Sequence, residues 1–322
     1  VSLDDITHLV RTTRGMAHKT DIAPVLARLN LGAATAIPVG DDCAAIPDGD
    51  GHLLLAIEGF LPDFCAADPH FAGYCGVMVN VSDIAAMGGR PIAVVDALWS
   101  ADAETAAPLL EGMAKAAEKY RVPIVGGHTN TRAGMALLSV AILGRATRLL
   151  SSFAAQPGET LIAAIDLRGR LRGSQWWDCS TDNPANRLRG DLDILPDLAD
   201  AELCAAAKDI SMAGVVGTAL MLLEASRLGA VIDLANIPRP PTFPLHHWLV
   251  VFPSYGFILS VPPEHADAVI GRFKKRGIAA AAIGATDASR IVRLRLEDET
   301  NVLWRFADEP LVGCVTEEPN HA

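Results

Sequence analysis

A few acidic stretches carry the side chains that could do chemistry in this chain. Gly40-Asp41-Asp42 sets two carboxylates side by side, which repel unless solvent or a cation relieves them. Asn80 and Asp83 lie three apart in Val79-Asn-Val-Ser-Asp83-Ile-Ala-Ala-Met87-Gly-Gly-Arg90-Pro91, a spacing that places them on one face of a helix. Lys208-Asp209-Ile-Ser211 leads into an apolar helix-periodic stretch, and Glu58 closes the apolar run Leu53–Ile57. Oxygen donors of this kind suit Mg2+ bridging the phosphates of a nucleotide, not a soft metal. Val125-Gly126-Gly127-His128-Thr129 reads as a strand running into two glycines that let a phosphate approach the backbone. Each stretch also has a plain structural alternative: a solvated turn, a surface ion pair, a helix cap or a Gly-Gly turn.

Periodicity supplies the elements that must hold these residues. The run up to Met87 reads as a helix stopped by Gly88-Gly89 and Pro91, so Asp83 stands in its closing turns. There the macrodipole disfavours a negative charge by ~0.3–1 kcal/mol, which suggests a cation beside it. Strands are expected at Leu53–Ile57, Ile92–Leu98, Val122–Val125 and Ala136–Leu143, with a helix at Thr105–Tyr120. Further along, Thr160–Ile165, Val231–Leu234, Gly256–Val261 and Ile291–Leu296 read as strands. Met212–Leu228 reads as a helix capped by Ser211 and ended by Gly229. Arg145–Gly158 is the expected crossover between two domains, 1–148 and 149–322. Residues 168–197, with Trp176-Trp177, show no period and are expected to form a surface loop or lid.

Composition narrows the function classes. The chain of 322 residues has 27 Lys and Arg against 38 Asp and Glu, a net charge of −11, which argues against nucleic acid or an anionic membrane as partner. Apolar runs such as Met135–Leu143 are strand-length, short of the ~20 residues of a membrane helix. The acidic start Val1-Ser-Leu-Asp-Asp lacks a leader's apolar segment, and a cytoplasmic protein is expected. Six scattered cysteines without a CxxC pair are expected to be free thiols. His246-His247 and Lys274-Lys275-Arg276 call for no more than a local structural role, and neither GxxxxGK[ST] nor GxGxxG occurs.

In order, Gly40-Asp-Asp-Cys-Ala, Val79-Asn-Val-Ser-Asp-Ile-Ala-Ala-Met-Gly, Val125-Gly-Gly-His-Thr, Gln156-Pro-Gly-Glu and Asp209-Ile-Ser resemble the motifs of the AIR synthase superfamily, thiamine-monophosphate kinase most closely. The superfamily also includes aminoimidazole ribonucleotide synthetase, HypE and selenophosphate synthetase. The resemblance implies an α/β (α+β) fold: an N-terminal ATP-binding domain whose sheets pair across a homodimer, and a C-terminal α/β domain. It implies ATP and Mg2+ as cofactors. Metal ligands would come from Asp41, Asp42, Glu58, Asp83 and Asp209, and the nucleotide would meet Asn80, Gly126, Gly127, His128, Thr129 and Ser211. Asp83, His128 and Asp209 would be the catalytic residues.

Departures from the kinase pattern are as informative. His128 stands where the kinases carry the Asp of Gly-Gly-Asp-Thr, and Glu58 only approximates their Thr-Asp. Asp209-Ile-Ser211-Met212-Ala-Gly214 lacks a second carboxylate, and Pro253–Leu259 replaces Gly-Glu-Asp-Tyr-Glu-Leu. Residues 11–20 contain no Cys, which disfavours selenophosphate synthesis. The expected activity is ATP- and Mg2+-dependent phosphoryl transfer to, or activation of, a small molecule. The alternatives are a nucleotide-binding protein without turnover and thiamine-monophosphate kinase itself.

Overall fold

Strict alternation of buried and half-buried residues along Leu137–Ala146, with Leu138, Val140 and Ile142 on the buried side, marks a sheet with one face packed and one face open. A computed structural model, which describes residues 1–29 and 38–314, places that strand at the centre of the first of three sheets. In chain order the first elements are α1 (Leu3–Thr12), α2 (Arg14–Thr20), α3 (Ile22–Leu29), β1 (Ala44–Asp48), β2 (Gly51–Phe60), α4 (Pro62–Ala67) and α5 (Pro69–Ala86). Next come β3 (Arg90–Trp99), α6 (Ala103–Tyr120), β4 (Ile124–Asn130), β5 (Leu137–Ala146), β6 (Thr160–Ile165), β7 (Arg170–Arg172) and β8 (Trp176–Asp178). Then follow α7 (Ala185–Leu192), α8 (Ile194–Asp200), β9 (Ala206–Asp209), α9 (Gly214–Ala225), β10 (Gly229–Asp233) and α10 (Leu245–Trp248). The last are β11 (Phe252–Pro253), β12 (Gly256–Val261), α11 (Pro263–Lys275), β13 (Ala279–Asp287), β14 (Ile291–Leu296) and β15 (Glu299–Arg305).

The chain divides into two units. One comprises Asp42–Leu149 with Ser180–Asp200, the other Val1–Asp41, Leu150–Cys179 and Ala201–Ala322. Compared with a contiguous 1–148/149–322 division, the first 41 residues fall with the carboxy-terminal stretch, and Ser180–Asp200 with the amino-terminal one.

In the Asp42–Leu149 unit the strand order is β1-β2-β5-β3-β4, antiparallel except for the β3/β4 pair, which α6 connects. Helix α5 covers the buried face. It is mostly apolar and buried along nearly its whole length, as a helix packed on several sides must be, with Asn80 and Asp83 the buried polar exceptions. Gly73 and Gly112 let α5 and α6 touch backbone to backbone: a Cβ at either would overlap a carbonyl of the other helix, Leu109 O or His70 O. Helices α7 and α8 belong here, so the loop or lid expected for residues 168–197 is replaced by regular structure. Lys119 holds its start by donating to the carbonyls of Ser180, Thr181 and Asn183. The hydroxyls of Tyr74 and Tyr120 meet Ser180 Oγ at 2.7 and 2.6 Å.

The other unit is built on a seven-stranded sheet, β15-β14-β10-β13-β6-β12-β9, in which only β10 and β14 run parallel. A small sheet, β11-β8-β7, holds the first part of the segment expected as a loop. Its cause is aromatic packing. Trp177 is buried edge-on against Trp248 at 5.2 Å and Phe243 at 6.2 Å, and its Nε1 donates to Asp166 O at 3.0 Å. Among the described residues no helix is long and apolar enough to cross a membrane.

All six cysteines are buried thiols outside any disulfide. Burial pushes the Cys204 thiol up to about 12 and Cys314 up to about 11, so neither ionises appreciably at pH 8, and the thiolate is the reactive form. The native protein is therefore expected to release less than one equivalent of thionitrobenzoate at pH 8 within minutes. In guanidinium chloride all six thiols should react.

Candidate functional site

Asp83 sits as the residue types require. Asp68 caps α5 by accepting from Phe71 N at 3.2 Å, and Pro69 opens it. The chain leaves the helix through Gly88 N to Ala85 O at 2.8 Å and Gly89 N to Ile84 O at 2.9 Å. Asp83 thus lies in the last turn, buried to 5% exposure, where the helix dipole opposes its charge. Asp42, half-buried just ahead of β1, brings a carboxylate oxygen within 4.8 Å of one on Asp83. At an effective dielectric near 20, two such charges repel by about 3.5 kcal/mol. A shared cation removes that penalty.

Asn80, one turn earlier on α5, is fully buried. Its amide nitrogen donates to Gly76 O at 2.7 Å and to Val140 O at 2.9 Å, which fixes the orientation of the group. The amide oxygen has no hydrogen-bond partner among the described residues. A buried acceptor left unpaired costs roughly 1–3 kcal/mol, so this atom awaits a donor or a cation. Carboxylates together with an amide oxygen form a donor set that fits Mg2+.

Asp209, in the other unit, ends β9 at the sheet edge, also 5% exposed. Ser211 is not the helix cap expected: α9 begins at Gly214, and no side chain caps it. The Ser211 hydroxyl is buried without a hydrogen-bond partner among the described residues, a second orphaned oxygen donor two residues from Asp209.

Asp41, expected as a metal ligand, stands outside the group formed by Asp42 and Asp83 and turns its carboxylate to other partners. Its carboxylate accepts from Ser151 Oγ at 2.8 Å, Ser152 N at 2.7 Å and Ser152 Oγ at 2.6 Å, with Lys208 Nζ 3.8 Å away. Glu58 does not close its strand but lies within β2, where its backbone oxygen accepts from Ser139 Oγ at 2.9 Å.

Gly126, Gly127, His128 and Thr129 are not a turn after a strand. They form the second half of β4, paired parallel with β3. The strand is exposed throughout, so its alternation has no buried face to reveal it in the sequence. His128 packs beside Trp99, ring centroids 6.0 Å apart. Asp96 faces Gly127 across the ladder so closely that a Cβ at 127 would overlap its carboxylate. Burial raises the Asp96 pKa above the usual carboxylate range. Asp96 belongs to none of the motifs read from the sequence, and Lys208 enters them only as the residue before Asp209. The one signal for each was a charge inside an apolar strand, in Val94-Val-Asp-Ala-Leu98 and Ala205-Ala-Ala-Lys208.

Comparison with known proteins places the chain in context. Residues 40–146 match the family model of the AIR synthase related protein N-terminal domain, and residues 185–297 that of its C-terminal domain. An uncharacterized protein of Synechocystis sp. is 46% identical over 316 residues, covering 97% of this chain and 98% of that one. Thiamine-monophosphate kinase of Synechococcus elongatus is 26% identical, over 82% of this chain and 88% of that enzyme. Among solved structures, T. maritima PurL complexed with ADP superposes with a TM-score of 0.76 at 18% identity. That match covers 95% of this chain and 53% of PurL, so this chain spans about half the PurL length.

Proposed function

Because the chain belongs to the AIR synthase related family, we propose that it binds ATP with Mg2+ and transfers a phosphoryl group to, or activates an oxygen of, a small molecule. The observation that carries this is the pair Asp42 and Asp83, carboxylate oxygens within 4.8 Å, with the unpartnered Asn80 oxygen one helical turn before Asp83. Asp209 is the proposed third ligand, and the Ser211 hydroxyl a proposed contact to the nucleotide. Mg2+ held there would supply positive charge against the phosphates, most of what phosphoryl transfer asks of a protein. The chain's own residues orient the phosphates, and the open edge strand β4 offers the Gly126 and Gly127 backbone to them. His128 is placed to contact a phosphate or carry a proton. The open face of the β1–β5 sheet is proposed to pair with a second copy of the chain.

The second reading, nucleotide binding without turnover, is favoured by His128 itself. An imidazole tilted beside Trp99 stands where the kinases of the family carry a carboxylate. Titration with ATP by calorimetry, with and without Mg2+, tests the shared premise: binding is expected only with Mg2+, and its absence removes both readings. A panel of small acceptors then divides them, since turnover releases ADP and binding alone does not. Thiamine phosphate belongs in that panel, because the resemblance to its kinase is opposed by the altered segment Pro253–Leu259.

A further inference from the structure

We propose that Asp41 and Lys208 act as a positioning pair for the metal ligands next to them in the chain, Asp42 and Asp209; the proposal rests on the Mg2+–ATP reading above. Lys208 Nζ lies 3.8 Å from Asp41 Oδ1, and the two side chains are only 7% and 2% exposed. Burying such a pair is costly, and an apolar pair of similar volume commonly serves stability as well or better. Ionic groups kept here point to a requirement beyond packing.

The geometry supplies that requirement. Asp41 is gripped by three donors from Ser151 and Ser152 as well as by the ammonium, so its backbone is fixed just before Asp42. The approach is set from the other side by Gly40, whose φ is +125° and whose Cβ, if it had one, would overlap the Cys314 side chain. Lys208 sits within β9, with Ile258 opposite it and Asp209 opposite Phe257 on β12. Successive strand residues face opposite ways, so holding Lys208 against Asp41 directs Asp209 to the other face. One ion pair thereby sets the backbone ahead of two ligands that are 167 residues apart in sequence.

Electrostatics and positioning predict opposite signs when Lys208 alone is removed. Losing a nearby positive charge strengthens cation binding, whereas losing the anchor weakens it. Lys208→Met is therefore expected to bind Mg2+ more weakly in the presence of ATP. The decisive variant is Asp41→Asn with Lys208→Met, which removes one charge of each sign and leaves the net charge unchanged. It should raise the apparent Mg2+ dissociation constant about tenfold, the scale of lost outer-sphere support at metal sites. Ser152→Ala, which keeps the ion pair and removes one donor to Asp41, should raise it in the same direction and by less than the double variant does, and covers the case in which the double variant fails to fold.

The measurement is a Mg2+ titration of ATP binding by calorimetry, run well below the melting temperature of each variant. A role confined to stability would move only the melting temperature. Unchanged Mg2+ affinity in the folded double variant, or in Ser152→Ala if only that folds, overturns the positioning pair and leaves the nucleotide site standing. Absence of Mg2+-dependent ATP binding in the parent protein overturns both.

Discussion

Asp83→Asn is expected to abolish Mg2+-dependent ATP binding, lowering the affinity at least about 100-fold, while the metal-free protein unfolds no lower than the parent. Loss of groups that merely support a metal ligand costs 10–100-fold in metal affinity, so a direct ligand sets the upper end as a floor. The substitution keeps the shape of the side chain and removes one negative charge. In the metal-free protein that charge faces Asp42 across 4.8 Å or less and opposes the dipole of α5. Removing it therefore relieves repulsion, and the sign of the stability change runs against the sign of the functional change. Few structural roles for a buried carboxylate predict that combination, because breaking a purely structural contact lowers the melting temperature. Calorimetric ATP titration with Mg2+ and with EDTA, beside thermal unfolding in EDTA, gives both signs. A variant that keeps Mg2+-dependent affinity would show that Asp83 holds no cation.

How much of this site was legible follows from which contacts are local. Asp83 could be read because its helix carries its own punctuation, an apolar run stopped by Gly88-Gly89 with Pro91 behind it. The opposition between charge and dipole is a property of some twenty consecutive residues. Asp42 and Asp209 could be nominated by motif alone. The fate of Asp41 could not, because Ser151 and Ser152 lie about 110 residues away and their hydroxyls are unremarkable in the sequence. The same limit explains β4. Gly126-Gly127 ends the strand signal that Val122–Val125 carries, and only pairing with β3 and its crossover helix α6 keeps the chain extended on to Asn130. Residues 168–197 failed for a related reason. Strands of three residues such as β7 and β8 have no period to detect, and they exist because Trp177 finds Trp248 and Phe243 some seventy residues later.

Ile57→Arg is expected to leave the chain monomeric where the parent pairs through its open sheet face as proposed, without disturbing either unit. On β2 the residues Leu54 and Ala56 face α5, whereas Leu55 and Ile57 face the other way and are 47% and 69% exposed. Register carries the open face across the sheet: Ile57 pairs with Ala141, which pairs with Val95, and Leu55 pairs with Leu143, which pairs with Ala93. An apolar row spanning three strands that the described residues leave exposed is what a sheet offers to another copy of itself. In a two-fold interface each substitution is made twice. Withdrawing two isoleucines costs about 3–6 kcal/mol of apolar burial, which is roughly 10²- to 10⁴-fold in the dimer constant, before two guanidinium groups are set against an apolar surface. Because Ile57 is exposed within its own chain, the monomer keeps its fold. Leu110→Arg is the control: that residue is 42% exposed on α6, away from the open face, and its variant should remain a dimer. Sedimentation velocity at micromolar concentration reads the outcome. If the parent is monomeric, or the Ile57 variant sediments as a dimer, the sheets do not pair through this face.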